Sequence, residues 1–375
     1  MTGMVGLTGL RIALVGPVPP PAGGMAMQTR QLAELLKQEH AQVELVATNA
    51  PYRPAVVERL PIIRALFRLV PYCFALWRTA GRADVLHLMA NSGWSWHLFA
   101  VPALWVARLR RVPAVVNYRG GEAGAFLQRR AGWVRAGLRD ARLVVPSAFL
   151  QQVFAAHGMA AQIVPNIVDL VRFRRAAAQA DGERAPRLLV ARNLEPIYDN
   201  ATALRAFALV VRPHPRAQLT LAGTGPQLAE LQRLAAELGI DDRVCFAGRL
   251  DRDDMAAKLR DSTVAINPST IDNMPNSVLE ALASGVPVVS TNVGGVPFIV
   301  EHGIDALLVP PADPTAMAQA VLRLLADPEL VQQLVEAGLR TANAYTWERV
   351  GPQWAAVYRI ACSAPADAAT ATRVR

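Results

Sequence analysis

Cysteine is scarce in this chain, with three in 375 residues, at positions 73, 245 and 362. An odd, scattered set without metal-ligand spacing excludes a disulfide framework and a zinc site, and fits a reducing compartment. Long apolar runs are missing as well. None approaches the ~20 residues that a membrane-spanning helix needs: the stretch 62–77 is broken by Arg64 and Arg68, and 98–107 is short. The apolar N-terminal stretch 4–16 is interrupted by Arg11 and runs into a Gly-Pro-rich turn. It reads as a first β-strand rather than a signal peptide. Charged residues make up only 18% against 52% apolar ones, a balance that excludes a disordered chain. No repeat of solenoid period, no low-complexity tract and no recognised nucleic-acid signature occurs.

What is present is unevenly placed. Residues 1–180 carry 21 Lys or Arg against 8 Asp or Glu, a net +13, whereas residues 181–375 carry 18 against 22, a net −4. A one-sided basic half points to an anionic partner. Between positions 59 and 70, Arg59, Arg64 and Arg68 alternate with large apolar groups. A helix of that kind buries its apolar side at the acyl boundary while guanidinium groups meet lipid phosphates. A core helix with a solvated basic side remains the alternative. Nucleic acid is not expected as a partner.

At this length two domains with full cores are expected. Short apolar runs alternate with helical-period segments throughout, the pattern of β/α units with parallel sheets. Six strand candidates precede the polar segment Arg174–Pro186, from 10–15 to 162–164, and six follow it, from 187–191 to 307–309. The expectation is an α/β chain of two doubly wound, Rossmann-like domains, 1–178 and 179–362, facing a central cleft, with a tail over 363–375. The last helix of the second domain is the element placed to pack back on the N-terminal domain. Ligands of such sheets bind beyond the carboxyl ends of the strands, so the loops there form the functional shortlist.

The most informative of these loops runs from Ser269 to Ser290. It carries Asp272, Asn273, Met274, Pro275, Asn276 and Ser277 into a helix start, places Glu280 one turn on, and returns through Gly285 to an apolar strand. Amides at Asn276 and Ser277 would meet phosphate at the positive end of the helix, and Pro275 costs nothing in a first turn. An ionised Glu280 would accept from the two vicinal hydroxyls of a ribose. The pattern suits a nucleotide sugar.

In order along the chain stand Pro19-Pro20-Pro21-Ala22-Gly23-Gly24, Val164-Pro165-Asn166-Ile167-Val168-Asp169 with Phe173, Ala222-Gly223-Thr224-Gly225-Pro226, and Phe246-Ala247-Gly248. Then come the two acids Asp272 and Glu280, seven residues between them, and Gly294-Gly295. On these landmarks nearly the whole chain resembles the retaining glycosyltransferases of family 4, which have the GT-B fold. The resemblance implies a sugar-nucleotide-binding C-terminal domain, an acceptor-binding N-terminal domain, and transfer with retained anomeric configuration without a bound metal or other cofactor. It assigns Glu280 to the ribose and Asp272, where Glu is usual, to the donor sugar. It brings Gly23, Gly24, Gly223, Gly248, Arg249, Asn273, Met274, Asn276 and Ser277 to the donor.

The chain also departs from the family. An Arg and a Lys usually face the diphosphate from the loop after the first strand of the second domain. Aligned on Leu194, those places hold Asn193 and Tyr198, with Arg192 one residue early. In the first domain Arg119, within Asn117-Tyr118-Arg119-Gly120-Gly121, replaces the usual His. Arg119, His87 and Asp272 are the groups expected at the chemistry. Asn91 and Ser92, with Arg64 and Arg68, are those expected at the acceptor. The reading is a cytoplasmic enzyme, peripheral on the inner face of an anionic membrane, that moves a sugar from a nucleotide-diphosphate sugar to a lipid-linked or polysaccharide acceptor. An epimerase on the same scaffold and a non-catalytic sugar-nucleotide-binding subunit are the alternatives.

Overall fold

The computed structural model describes residues 7–20, 23–51, 63–175 and 185–363. The chain forms two compact units, one of residues 1–166 with 347–375 and one of residues 167–346.

The first unit is built on β1 (Arg11–Gly16), α1 (Gly24–Gln38), β2 (Gln42–Ala47), α2 (Ile63–Ala80), β3 (Val85–Ala90), α3 (Val101–Arg110), β4 (Ala114–Tyr118), α4 (Ala123–Leu138), β5 (Ala141–Val145), α5 (Ala148–Ala155) and β6 (Gln162–Ile163). Its strands pair in parallel in the order β2-β1-β3-β4-β5-β6. β3 and β4 are buried at every position, as expected of parallel strands covered on both faces, which read as continuous apolar runs. The chain reverses direction across the sheet between β1 and β3, so the loops after these two strands diverge and leave a crevice at their carboxyl ends.

The second unit contains β7 (Arg187–Val190), α6 (Asn200–Val211), β8 (Gln218–Ala222), α7 (Leu228–Glu237), β9 (Val244–Gly248), α8 (Arg252–Arg260), β10 (Val264–Asn267), α9 (Asn276–Ala283), β11 (Val288–Thr291), β12 (Leu307–Val309), α10 (Pro314–Ala326) and α11 (Pro328–Asn343). Its parallel order is β12-β11-β10-β7-β8-β9, the doubly wound order with its switch point between β7 and β10. Aspartates at the starts of α8, α10 and α11 accept from backbone amides of the first turn, which satisfies donors that the helix itself leaves without acceptors.

The division falls at 166/167 rather than at 178/179. The reason is packing: Val168 and Phe173 are buried in the core of the second unit, and the Val168 amide donates to the Tyr345 carbonyl at 2.9 Å. Most of the polar segment expected as the border, 176–184, lies outside the described residues, as does the tail from 364. The last helix, α12 (Trp347–Ser363), joins the first unit. Trp354 and Tyr358 on it are fully buried. All three cysteines are free.

Candidate functional site

In the second unit, the loops leaving β7 and β10 at the switch point meet around Arg192. Its guanidinium forms an ion pair with Asp272 and donates to Ser269 Oγ from Nε at 3.1 Å and from Nη2 at 3.0 Å. A longer contact of 3.5 Å joins Nη1 to Ser277 Oγ in the first turn of α9. The Tyr198 ring lies beneath it, 4.5 Å from centroid to guanidinium carbon. The place where a family lysine was expected thus holds an aromatic face that supports the neighbouring cation. Burial lowers the Arg192 pKa to about 10, with Tyr198 and Glu280 acting in the opposite direction; the group stays charged at neutral pH.

Ser269 is the anchor that the sequence did not reveal. It is fully buried, and its hydroxyl donates to Asn267 Oδ1 at 2.8 Å while Asn267 Nδ2 donates to Ser290 Oγ at 3.0 Å. Thr291 Oγ1 closes the set on the Ser269 carbonyl at 2.6 Å. A small hydroxyl two residues past a strand carries no signal of its own; only its place beside Arg192 gives it a role.

Two glycine pairs set the loops that present these groups. A Cβ on Gly223 would overlap the Arg192 carbonyl, and one on Gly225 the Leu194 carbonyl. Gly294 and Gly295 stand in the same relation to the carbonyls of Asp272 and Asn273. Gly223, expected to touch the donor, also lets two backbones approach. Asn273 and Met274 are buried in the same loop. Pro275 has non-helical angles (φ −68°, ψ 116°) and supplies no side-chain cap, so it precedes the helix instead of lying in its first turn. Its carbonyl receives the amides of Val278 and Leu279 at 3.2 and 3.4 Å, and Asn276 opens α9.

Glu280 is half-buried on the second turn of α9. Among the described residues no hydrogen bond reaches its carboxylate. Burial raises its pKa from 4.5 to about 7, while Arg252 and Arg192 pull it down and Asp169 pushes it up. Arg252 was not singled out from the sequence, and Asp169 stood there only as part of a landmark, with no site role; Arg252 leans on the Phe173 ring at 5.7 Å and lies 3.9 Å from Asp169. Asn193 stays outside the cluster: it is exposed, and its amide donates to Glu195 at 3.3 Å. Gly248 has a φ of +66° at the end of β9, and exposed Arg249 reaches Thr224 Oγ1 at 3.4 Å.

In the first unit, Gly120 has Ser92 and Asn91 so close that a Cβ would fall 2.8 Å from the Ser92 amide nitrogen. This brings Asn91, Ser92 and Arg119 together. Tyr118 donates to Ser92 Oγ at 3.1 Å. Half-buried Arg119 donates to Asn117 Oδ1 from Nε at 3.1 Å and to Gln28 Oε1 from Nη1 at 2.7 Å, and it also bonds Asn166. Burial lowers its pKa to about 9. Gly23 precedes α1 and Gly24 begins it, and a Cβ on either would enter open space. Within this unit nothing demands glycine there. A cavity of about 230 Å³ opens at the switch point, bounded by Met25, Thr48, Asn91, Ser95 and Phe99.

His87 does not stand where substrate could touch it. It is fully buried, 4.7 Å from the Trp354 ring, and burial, with Arg119 nearby, lowers its pKa to about 3. Its expected place at the chemistry is corrected accordingly; it is a neutral core imidazole. Residues 59–62 of the basic segment 59–70 lie outside the described residues, and so do the side chains of 63–66, Arg64 among them; Arg68 is half-buried on α2. No described helix is long and apolar enough to cross a membrane. No group of three His, Cys, Asp or Glu that could hold a metal occurs among the described residues.

Comparison with known proteins matches residues 22–172 to the model described as Glycosyltransferase Family 4 and residues 185–327 to that described as Glycosyl transferases group 1. Over 298 residues the chain is 29% identical to a glycogen synthase of Mycobacterium tuberculosis, an alignment that covers 75% of this chain and 69% of that one. The sucrose-phosphate synthase of Thermosynechococcus elongatus superposes with a TM-score of 0.76 at 24% identity, covering 94% of this chain and 98% of that one. Anabaena HepE, solved in complex with UDP and glucose, gives 0.73 at 19% identity, covering 92% and 98%. The two structural likenesses concern the fold.

Proposed function

Because the chain belongs to the glycosyltransferases of family 4, with two Rossmann-like units of the GT-B type, we propose that it transfers a hexose from a nucleotide-diphosphate sugar to a lipid-linked or polysaccharide acceptor with retention of anomeric configuration. The observation that carries this is the convergence of Arg192 on the first turn of α9: Asp272 pairs with its guanidinium before the helix, and Glu280, eight residues after Asp272, stands on the second turn of the same helix.

The roles follow from charge. The leaving diphosphate gains negative charge as the glycosidic bond breaks, and a transition state of oxocarbenium character needs little beyond stabilisation of that charge. Arg192, fixed by Ser269 and Tyr198, and the α9 amides meet it from two sides. The cation is already in place, so no reorganisation is needed at the moment of reaction. Bound diphosphate competes with Asp272 for Arg192, which frees the Asp272 carboxylate to accept from hydroxyls of the transferring sugar. Glu280 accepts from the ribose diol. The base lies along Gly248 and Arg249, and UDP, the nucleotide bound by HepE, is the first to test. The reading assigns charge neutralisation to these groups and includes no resident metal.

Acceptor binding falls to the first unit. The cavity beside Asn91 combines amide and hydroxyl groups with Met25 and Phe99, a lining that suits one sugar ring: C–H faces on the apolar side chains, hydroxyls on the polar ones. Arg119 supplies a fixed cation at the same strand ends. A lipid-linked acceptor also requires a membrane face. On α2, Phe67, Val70, Phe74 and Trp77 are exposed along one stripe, joined by Trp105 and Leu109 of α3, which packs beside it. Arg110 lies over Trp77 at 3.9 Å, with Arg78 and Arg111 exposed nearby. Apolar rings rimmed by arginine match an anionic bilayer surface on the cytoplasmic side.

A panel of nucleotide diphosphates and their sugars, read by thermal stabilisation, tests the donor assignment, since a ligand of the native state raises its melting point. Release of the nucleotide diphosphate with an α- or β-linked product identified by NMR then separates transfer from epimerisation. Binding without release across a broad acceptor panel contradicts the reading and favours a non-catalytic binding subunit.

A further inference from the structure

A chain of four hydrogen-bonded side chains links the C-terminal helix to Arg119. Tyr358 of α12 and His87 of β3 meet through the hydroxyl and Nδ1 at 2.7 Å. His87 Nε2 and Asn117 Nδ2 are 3.2 Å apart, and Asn117 Oδ1 receives Arg119 Nε at 3.1 Å. Tyr358, His87 and Asn117 are fully buried.

We propose that Tyr358 and His87 are positioning residues that fix the Arg119 guanidinium through Asn117, so that the last helix of the chain helps build the acceptor-side cation of the first unit. This rests on the reading of Arg119 as a substrate-facing group. The direction of the chain follows from the arginine, which can only donate. Arg119 Nε–H therefore claims Asn117 Oδ1, and Asn117 is left to present its NH2 to His87. His87 Nε2 must then be the bare, accepting nitrogen, and the proton sits on Nδ1 and points at the Tyr358 oxygen. Each member admits a single orientation once the next is set. Without the Tyr358 oxygen, the Nδ1 proton is buried without an acceptor, which costs free energy. The imidazole then escapes by moving the proton to Nε2, which turns the Asn117 amide and offers Arg119 a donor in place of its acceptor. A helix more than two hundred residues further along the chain thereby controls a side chain at the end of β4. Trp354 packs on the same imidazole at 4.7 Å and takes no part in the hydrogen bonds, which makes it the packing control.

Selective 15N labelling of histidine and arginine in the full chain tests the proposal, with signals assigned through His87→Gln and Arg119→Lys. The wild type is expected to show His87 protonated at Nδ1 and a slowly exchanging Arg119 Nε–H. Tyr358→Phe is expected to move the proton to Nε2 and to speed Arg119 Nε–H exchange by about tenfold or more, whereas Trp354→Phe leaves both in place. An Nε2–H tautomer in the wild type, or an unchanged Arg119 signal in Tyr358→Phe, overturns the proposal. Turnover of UDP-glucose supplies the functional arm. Tyr358→Phe is expected to lower kcat about tenfold with donor KM within about twofold, and to add nothing in an Arg119→Gln background. Additive losses overturn the relay. Wild-type kcat in Arg119→Gln instead overturns the role given to Arg119, while the spectra of the four-residue chain stand by themselves.

Discussion

Replacing Glu280 by glutamine separates binding from stability, because the wild-type carboxyl works against the fold. Burial raises its pKa from 4.5 to about 7. Between those values the folded protein holds a proton that the unfolded chain has released. Stability from this group is thus full below pH 4.5, falls as pH rises towards 7, and is level above it. The ceiling on the loss is about 3 kcal/mol, at 1.36 kcal/mol per pH unit of displacement. Part of the group is hydrated, so a gain of about 1 to 3 kcal/mol is expected for Glu280→Gln at pH 8, shrinking towards zero near pH 4.5. The side chain keeps its shape, so little of that gain is lost to packing. Binding moves the other way. A carboxylate accepting from two ribose hydroxyls makes charge-assisted bonds worth about 1.5 to 3 kcal/mol each, and the amide accepts at one oxygen only, so affinity for nucleotide diphosphate should drop about ten- to a hundredfold. Wild-type affinity should also rise as pH passes through 7 and the carboxylate ionises. Chemical denaturation at pH 5 and pH 8, with calorimetric titration of UDP at both, reads every part. A Glu280→Gln variant that is less stable than wild type at pH 8, or that binds UDP equally well, would mean that the carboxyl neither strains the fold nor holds the ribose.

Arg192→Met leaves Asp272 buried without its cation and is expected to cost about 3 to 5 kcal/mol of stability, measurable by denaturant titration, with loss of donor-dependent turnover. Arg192→Lys should recover stability before it recovers turnover, because an ammonium cannot span Ser269 and Asp272 as the guanidinium fork does. In Gly295→Ala the new methyl meets the Asn273 carbonyl; the loop must shift, and donor KM should rise about tenfold or more in a direct kinetic comparison with wild type. Replacing Phe74 and Trp105 together by aspartate, both exposed, should leave the melting temperature within about 2 °C and abolish co-sedimentation with anionic liposomes. Equal sedimentation of the two proteins would contradict the membrane face.

The strands were legible because parallel sheets bury both faces: runs such as Ala114–Tyr118 and Val264–Asn267 announce themselves without alternation. The order of strands and the switch points, which locate the sites, came only with coordinates. Glu280 and Asp272, the acids proposed for the donor, stood out by their spacing around a helix start. The cation proposed for the diphosphate was readable only as a choice among Arg192, Asn193 and Tyr198, since the ring contact that makes Tyr198 a support for Arg192 is tertiary. His87 shows the opposite failure. A histidine at the carboxyl end of a strand reads as functional, yet Trp354 and Tyr358, some 270 positions away in sequence, seal it from solvent. Arg252, and the roles of Ser269 and Asp169, were missed for the same reason: each is ordinary alone and acquires meaning from a partner far along the chain. The close approach of the Arg192 carbonyl, which leaves no room for a side chain at Gly223, was likewise hidden from the sequence.

The central claim is that Arg192, the start of α9 and Glu280 hold one nucleotide diphosphate between them. A crystal structure of the protein soaked with UDP measures this most directly. Phosphate oxygens are expected within hydrogen-bonding distance of Arg192 and the Ser277 amide, the ribose diol on Glu280, and the Arg192–Asp272 pair loosened. Well-defined UDP density anywhere else, with Arg192 still closed on Asp272, would contradict it.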